Sequence, residues 1–304
     1  MSQVFKIKIL GSSAAIPTSS RHTTAQLLQH HNKRFLLDCA EGTQMQLRRF
    51  KLPLTKIDHV FISHLHGDHF LGLPGLLFSL HLLGRTKTMH LYSPPGLEEI
   101  IATQYRISQL IPSFEIHFHE LHAGGEHIYD DENLTVHTIA MEHRIPTYGF
   151  LFSEKQKEKN IRKEAIATYK IRIDQMPGLK KGEDLITAGG TVIPNHRITN
   201  APPPPRSYAF CSDTAYTETF IEQIKGVDVL YHEATFLHDR AGTAREKMHS
   251  TALEAATLAQ KAGAGRLLLG HYSARYKEVE AFRDEACTVF PNTFIAREGD
   301  EFYL

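Results

Sequence analysis

The sequence predicts an α/β protein in which several strands end at one metal-binding edge. Short apolar strands alternate with helical segments, and several strands end directly in a histidine or a carboxylate. The densest ending is His64-Leu65-His66-Gly67-Asp68-His69, which follows an apolar strand over 57–62. Four metal-binding side chains within six residues, directly after a buried strand, favour a metal site over a chance group among the 20 histidines.

Length and composition restrict the class of protein. A chain of 304 residues can form one large domain or two smaller ones, and 41% hydrophobic with 22% charged residues is typical of a soluble globular protein. Basic and acidic residues are equal at 34 each, so any nucleic-acid binding has to depend on local basic patches. Three cysteines do not resemble a secreted disulfide framework, and residues 1–10 lack a signal-peptide pattern. No apolar run reaches the roughly 18 residues of a membrane span, so we expect no membrane segment and a cytoplasmic protein.

Individual elements follow from periodicity and turn residues. The first strand runs into a loop over 11–22 that is rich in glycine, serine and proline. Gly84 ends one predicted helix, and Thr251 with Glu254 has capping-box spacing at the start of another. Short apolar runs predict strands over 4–10, 34–38, 57–62, 91–93, 134–139, 148–153, 208–211, 227–231 and 266–269. Helical spacing predicts helices over 44–50, 70–83, 97–110 and 252–262.

The stretch over 154–206 has a different composition. Residues 154–163 are mostly charged, 177–182 reads as a basic turn with proline and glycine, and prolines fill 202–205. Because large apolar residues are few, we expect an excursion from a single domain over 1–304 and no second core. From composition alone, a solvated surface is the favoured explanation of its charges.

Five predicted strands end in residues suited to metal binding or acid–base chemistry. A single histidine after a strand, such as His143, is more often structural than a ligand. Strand ends that meet at one edge of a sheet would unite residues more than two hundred positions apart. The joint occurrence therefore predicts one site, formed by the strand ends at 62–64, 140–143, 211–213, 231–233 and 269–271.

These residues and several further motifs resemble a known family. The motif over 64–69, with His143, Asp213 and His271, is similar to the metallo-β-lactamase superfamily. The motifs that resemble its ribonuclease Z branch, the tRNA 3′-processing endonucleases, are Pro-Thr-Ser-Ser-Arg-His at 17–22, Asp-Cys-Ala-Glu-Gly-Thr-Gln at 38–44, His-Glu-Ala-Thr-Phe at 232–236 and His-Ser-Thr at 249–251. The resemblance implies a four-layer αββα metallo-β-lactamase sandwich with an inserted tRNA-binding arm over 154–206.

The resemblance also implies two zinc ions per subunit, and manganese suits the same imidazole and carboxylate ligands. Asp213 would bridge the two ions. The remaining ligands fall into two sets, one for each ion: His64, His66 and His143 for the first, and Asp68, His69 and His271 for the second.

Catalytic roles carry over in the same way. Asp68 would orient the attacking water or take its proton, and His249 would protonate or stabilise the leaving 3′ oxygen. Glu233 would hold His249 in the required tautomer. For His249 the alternative is a residue at a helix N-terminus with no catalytic part.

The implied substrate is precursor tRNA, cut to leave a 3′-hydroxyl on the tRNA and a 5′-phosphate on the trailer. Arg21, Lys180 and Lys181 are the candidate phosphate contacts, and the resemblance implies a homodimer. Two alternatives stay open: another phosphodiesterase or esterase on the same scaffold, or a non-catalytic RNA-binding relative. The presence of all seven expected ligands argues against the second alternative.

Overall fold

The computed structural model describes residues 4–304; residues 1–3, the start of the segment expected to lack a signal peptide, lie outside the described residues. The strands of the two large sheets are β1 Phe5–Gly11, β2 Ala25–His30, β3 Lys33–Leu37, β4 His59–Phe61, β5 Met89–Ser93, β6 Ile116–Glu120, β7 His127–Asp130, β8 Leu134–Ala140, β9 Tyr148–Glu154, β10 Ser207–Cys211, β11 Val229–Glu233, β12 Arg266–Gly270, β13 Thr293–Ile295 and β14 Glu301–Tyr303.

The helices are α1 Thr43–Arg49, α2 Gly67–Phe70, α3 Leu73–Leu82, α4 Leu97–Ser108, α5 Lys163–Tyr169, α6 Met176–Lys181, α7 Asn195–Ile198, α8 Ala241–Lys247, α9 Ala252–Ala262 and α10 Glu280–Cys287. Among the described residues, none of these helices combines the length and apolar character needed to cross a membrane.

Each large sheet has seven strands. Their orders are β14-β1-β2-β3-β4-β5-β6 and β13-β12-β11-β10-β9-β8-β7. Strands β3 to β6 run parallel in the first sheet, and β10 to β13 run parallel in the second. Parallel neighbours end at the same edge of a sheet, so the residues that follow β3 and β4, and those that follow β10, β11 and β12, are brought together.

The two sheets face each other through aromatic side chains, and helices cover their outer faces. The rings of Phe35 and Phe152 lie 5.6 Å apart, and those of Phe61 and Phe150 lie 5.2 Å apart. Buried leucines of α1, α3 and α4 pack against the first sheet. Buried alanines of α9, with Phe282 of α10, pack against the second. The predicted four-layer αββα sandwich is confirmed.

The helix predicted over 70–83 differs in the structure. It is divided into α2 and α3, which are separated by Leu71 and Gly72. A Cβ atom at Gly72 would lie 1.9 Å from the carbonyl oxygen of Ala40, and the Gly72 N–H donates to the Cys39 carbonyl. Glycine permits this close backbone approach, and the helix is interrupted because the Gly72 N–H bonds to Cys39 and not within the helix. The break allows α2, which carries Asp68 and His69, to point in its own direction.

Residues 153–206, with 131–135, form a separate compact unit. The expectation that this stretch has no core is wrong. Asn195 lies 5% exposed within the unit, and its side-chain amide donates to the carbonyls of Leu179 and Glu183 at 2.7 Å each. The apolar residues of this small core are Ala165, Ile171, Leu179, Leu185 and Ile198.

The predicted basic turn over 177–182 is also different. It is the short helix α6, with Pro177 in its first turn and Gly182 at φ 109° directly after it. Proline is accepted at the start of a helix and glycine ends one in the left-handed conformation, so both residues fit a helix as well as a turn.

Candidate metal centre

The candidate ligands meet because of where the parallel strands end. Leu37 of β3 is paired with Phe61 of β4, so Asp38 and the segment leading to His64 leave the first sheet side by side. In the second sheet Glu233 is paired with Gly270, which places Glu233 beside the residue preceding His271. All five predicted strand ends contribute a residue to this region, with His143 following β8 and Asp213 following β10.

One group of donors consists of three imidazoles and a carboxylate. His64 Nε2 lies 3.0 Å from His66 Nδ1, and His143 Nε2 lies 3.4 Å from the same atom. The Oδ2 atom of Asp213 lies 3.7 Å from His64 Nε2 and 3.9 Å from His143 Nε2. Donor atoms of these four residues all lie within 4.8 Å of one another, a spacing that one metal ion can span.

A second group consists of Asp68, His69 and His271, whose donor atoms also lie within 4.8 Å of one another. Asp68 Oδ2 lies 3.4 Å from His69 Nε2 and 3.7 Å from His271 Nε2. The other oxygen of Asp213, Oδ1, lies 3.4 Å from His69 Nε2 and 3.0 Å from His271 Nε2. Each carboxylate oxygen of Asp213 therefore faces a different group of imidazoles.

A buried carboxylate and a hydroxyl fix the tautomers of His64 and His69. Asp38 accepts from the Ser63 backbone N–H at 2.7 Å and from Ser63 Oγ at 2.9 Å. Since the Ser63 hydroxyl proton goes to Asp38, its oxygen is left to accept from His64 Nδ1 at 3.0 Å. Asp38 Oδ2 also accepts from His69 Nδ1 at 2.8 Å. In both histidines Nε2 is left to bind at the centre.

Thr235 fixes a tautomer on the other side of the centre. Its hydroxyl donates to Glu233 Oε2 at 2.7 Å and accepts from His271 Nδ1 at 2.9 Å. The other oxygen of Glu233, Oε1, lies 2.8 Å from His249 Nδ1. One threonine therefore joins a candidate ligand, His271, to the Glu233–His249 pair.

Burial and opposing charges shift the pKa values of the centre. Burial alone would raise the pKa of Asp213, but His271 and His69 hold it well below its usual range. Burial alone would lower the pKa of His69, but the carboxylates of Asp213, Asp38 and Asp68 raise it well above its usual range. Ionised carboxylates around buried imidazoles give a negative potential, and a divalent cation can replace the proton that this potential attracts.

Two buried nitrogens test whether the residues fit a metal. Nε2 of His69 and of His271 makes no hydrogen bond with any residue in the described part of the chain. Both atoms nevertheless face carboxylate oxygens at 3.0–3.7 Å. A buried imidazole nitrogen without a hydrogen-bond partner is costly unless it binds a cation. The donor set therefore fits divalent metal ions.

The groups open into one cavity of about 280 Å³. Asp68 at its wall accepts the backbone N–H of Ala15 at 2.7 Å. Burial alone would lower the pKa of His249, but Glu233 outweighs it and raises the pKa to about 9. The carboxylate of Glu233 therefore favours the protonated form of His249. The residues that line the cavity are Ala15, His66, Asp68, His143, Arg144, Asp213, Lys247, His249 and His271.

The predicted phosphate contacts are not among the residues that line this cavity. The Arg21 guanidinium donates to the carbonyls of Tyr276 at 2.6 Å, Lys277 at 3.2 Å and Ser273 at 3.4 Å. Arg21 thus helps to hold the first loop with three of its five donors, and its role as a phosphate contact stays a prediction. Lys180 and Lys181 are exposed at the end of α6, within the second compact unit.

Sequence reasoning missed the residues that hold the ligands. Asp38 and Thr235 belong to recognised motifs and Ser63 directly precedes one, but a hydroxyl or carboxylate in a motif does not reveal which imidazole it bonds. Asp38 had the clearest signal, because it is a carboxylate directly after a predicted strand. Arg144 and Lys247 of the cavity wall also follow or precede motif histidines and were missed.

Known proteins are similar in sequence to this chain along almost its whole length. The chain is 44% identical over 296 residues to ribonuclease Z of Bacteroides thetaiotaomicron, covering 97% of this chain and 94% of that protein. It is 45% identical over 302 residues to ribonuclease Z of Cytophaga hutchinsonii, covering 99% and 96%. The chain belongs to the ribonuclease Z family. The predicted enzyme class, a metal-dependent nuclease of the ribonuclease Z type, is thereby confirmed.

The fold comparison agrees with ribonuclease Z membership. The structure matches human tRNase Z, short form, with a TM-score of 0.73 and 26% identity, covering 98% of each chain. The model of the β-lactamase superfamily domain matches residues 197–272, as the predicted superfamily requires. The model of the anti-Pycsar protein Apyc1 matches residues 5–161, so the first half of this chain also resembles a second family.

Proposed function

We propose that the chain is an endoribonuclease that removes the 3′ trailer from precursor tRNA. Cleavage leaves a 3′-hydroxyl on the tRNA and a 5′-phosphate on the trailer. The observation that supports this most strongly is Asp213, whose two oxygens face two groups of imidazoles in the cavity that also contains His249. Two cation positions beside an acid–base pair suit phosphodiester hydrolysis.

In this proposal the two groups hold two divalent ions. His64, His66 and His143 would hold one, Asp68, His69 and His271 would hold the other, and Asp213 would offer one carboxylate oxygen to each group. Imidazoles with carboxylates suit zinc, and manganese also fits. When bound, such a pair of ions supplies positive charge to the scissile phosphate and a water of lowered pKa.

The proposed proton transfers belong to three side chains. Asp68, held by the Ala15 N–H, orients the attacking water or takes its proton. His249 gives a proton to the leaving 3′ oxygen, which its raised pKa of about 9 supports because the imidazole is protonated at neutral pH. Glu233 holds the His249 ring through Nδ1, so that Nε2 is presented to the substrate.

The arm over 154–206 is proposed to grip the tRNA body. Its exposed Lys180 and Lys181 can neutralise backbone phosphates. Such contacts weaken at higher salt, because the release of counterions from the tRNA is then less favourable. Arg21, which bonds to three carbonyls and keeps further donors, stays in this set.

A homodimer and a cytoplasmic location complete the proposal, both carried over from the family resemblance. Light scattering on the purified protein tests the dimer, and a mass of one chain would contradict it. Fractionation of the source cells tests the location, and recovery outside the cytoplasm would contradict that.

The decisive test is incubation with a 3′-extended precursor tRNA and mapping of the cut. We expect one cut near the end of the acceptor stem, a trailer that a kinase labels only after phosphatase treatment, and loss of cleavage with a chelator. A cut inside the tRNA body, or none in the presence of zinc or manganese, would contradict the proposal.

A second candidate is a phosphodiesterase of smaller substrates on the same centre, favoured by the match of residues 5–161 to the Apyc1 family. Deleting 155–205 separates the two. Glu154 and Arg206 would remain, and their side chains form an ion pair of 2.7 Å. A short glycine linker can therefore connect the two ends of the deletion. The tRNA proposal expects lost precursor cleavage with retained metal and retained hydrolysis of bis(p-nitrophenyl) phosphate. Unchanged precursor cleavage would favour the second candidate.

A further inference from the structure

Two basic side chains line the cavity of the metal centre without belonging to the ligands or to the Glu233–His249 pair. They are Arg144 and Lys247, and both are exposed. Apart from Ala15, every other residue of the cavity wall is a candidate ligand or His249. The cavity therefore has two permanent cations beside its metal-binding groups.

Arg144 is fixed in direction by a backbone contact. Its Nη2 donates to the carbonyl of Glu246 at 3.0 Å. The preceding residue, His143, donates through Nδ1 to the carbonyl of Met248 at 2.9 Å. Two bonds thus tie 143–144 to 246–248, and they bring the Arg144 side chain beside Lys247. A guanidinium has five donors, so Arg144 keeps donors for a ligand after this bond.

Lys247 has a different environment. Its ammonium group makes no hydrogen bond or ion pair with another residue among 4–304. A lysine in the last turn of a helix can act simply by stabilising the helix dipole, and Arg245 occupies the same turn of α8. Lys247 differs from Arg245 because it lines the cavity.

We propose that Arg144 and Lys247 form a phosphate subsite for the phosphodiester immediately 5′ to the scissile bond. This inference rests on the proposed function. His249 lies two residues after Lys247 and is the proposed donor to the leaving 3′ oxygen, so this wall faces the strand that ends in that oxygen. An arginine fork and a lysine ammonium both bind phosphate oxygens through charge-assisted hydrogen bonds.

The test is a thermodynamic cycle that combines a side-chain substitution in the protein with the removal of one phosphate charge from the substrate. Precursor tRNAs carry one neutral methylphosphonate linkage, either directly 5′ or directly 3′ of the scissile bond, with a 2′-deoxy sugar at that nucleotide for stability. All-phosphate substrates with the same 2′-deoxy sugar are the references. The variants are Lys247→Ala and Arg144→Gln, with Arg245→Ala as the matched control on the same helix. Metal content and melting temperature are measured for each.

On the reference substrates we expect Lys247→Ala and Arg144→Gln to lower kcat/KM about tenfold each, the usual size of a lost hydrogen bond to a charged group. Each should also reduce the slope of log kcat/KM against log salt by about one. The neutral 5′ linkage should slow the wild-type protein similarly, and the variants should then lose little more. Arg245→Ala should stay within about twofold of wild type on every substrate.

Three results would overturn the subsite. Equal losses by the variants on charged and neutral 5′ linkages would show that they do not contact that phosphate. Coupling to the 3′ linkage would place the pair beside the trailer instead of the tRNA side of the scissile bond. Lost metal in both variants would make the residues structural. A wild-type protein that cleaves no precursor tRNA is a distinct outcome, because it overturns the proposed function and the subsite with it.

Discussion

The metal centre and a second histidine group on the first sheet contain the same residue type in opposite surroundings. The second group, here called the histidine ladder, consists of His59, His90, His117 and His119 on neighbouring strands β4, β5 and β6. Its rings stack: His59 and His90 have centroids 5.0 Å apart, and His119 and Tyr92 4.4 Å apart. No three metal-binding donors converge on the ladder within residues 4–304.

His59 of the ladder and His69 of the metal centre have pKa values that are shifted in opposite directions. Burial lowers the pKa of His59 to about 3, with a further contribution from His90. The carboxylate that acts on His59, Asp58, is already paired with Arg85 at 2.8 Å and with Lys87. In the metal centre three carboxylates raise the pKa of His69 despite complete burial. The difference lies in carboxylates that no arginine or lysine neutralises, because they supply the negative potential that holds a cation.

The comparison teaches that a histidine cluster is not by itself a metal site. Buried, stacked imidazoles whose neighbouring carboxylate is already paired with basic side chains, as at His59, behave as aromatic residues that avoid charge. A metal site also needs each imidazole turned by a partner on its other nitrogen, as Asp38, Ser63 and Thr235 do here. Substitutions in the metal centre should therefore affect metal binding, and substitutions in the histidine ladder should affect the free energy of unfolding.

The largest expected effect is that of Asp213→Ala. It removes the carboxylate shared by both donor groups, so we expect loss of bound divalent metal and at least about a thousandfold fall in kcat/KM, equivalent to several kcal/mol of lost transition-state stabilisation. Metal per chain and precursor cleavage are the measurements. Asp58→Ala beside the ladder is the matched control and should keep its metal. Full metal content in Asp213→Ala would remove the distinction between the two groups.

His249→Ala should keep its metal and lose about a hundredfold to ten-thousandfold in cleavage, the usual contribution of a general acid. Metal analysis with single-turnover cleavage separates the two effects. Loss of metal in this variant would make His249 structural instead.

The same histidine predicts a pH effect. Its acid form is required, so activity should fall as pH rises through its raised pKa of about 9. Glu233→Gln removes the main cause of that rise, and the alkaline limb of the kcat–pH profile should move to lower pH. A limb that stays in place would disconnect Glu233 from His249.

Thr235→Val should weaken metal binding by about ten- to a hundredfold, as loss of a hydrogen bond to a ligand histidine does. The reason is that His271 Nδ1 loses its acceptor while the side chain keeps its shape. Competition with a chelator measures the affinity, and Thr235→Ser, which restores the hydroxyl, is the control. If Val and Ser bind metal equally well, the hydroxyl does not position His271.

The smallest effect is expected in the ladder. His59 has a folded pKa of about 3, below the ordinary 6.5, so the unfolded chain binds its proton first. Its contribution to stability is complete above pH 6.5 and is lost as pH falls, by up to about 1.4 kcal/mol per pH unit. His59→Phe should remove this slope while keeping ring stacking. Urea midpoints at pH 7 and pH 5 measure it, and an unchanged difference between them would show that His59 is protonated when folded.

Strand ends and motif residues were predictable because they are local properties. The apolar runs before His64, Asp213 and His271 predict buried strands, and all seven candidate ligands lie in the two donor groups. The arm core was not predictable from its charged composition, because five scattered apolar residues close it only after the chain turns back. The break between α2 and α3 depends on a carbonyl contributed by Ala40, far from Gly72 in sequence.

The sequence by itself determined the kind of site, since ligand types and their places after strands are written in its order. Tertiary structure alone decided which nitrogen each histidine presents and that Asp213 turns one oxygen to each group. It also decided that Arg21 bonds to backbone carbonyls while Arg144 and Lys247 line the cavity. These depend on hydrogen bonds and distances between segments far apart in the chain. Residue type and spacing do not encode such directions until the two sheets have packed together.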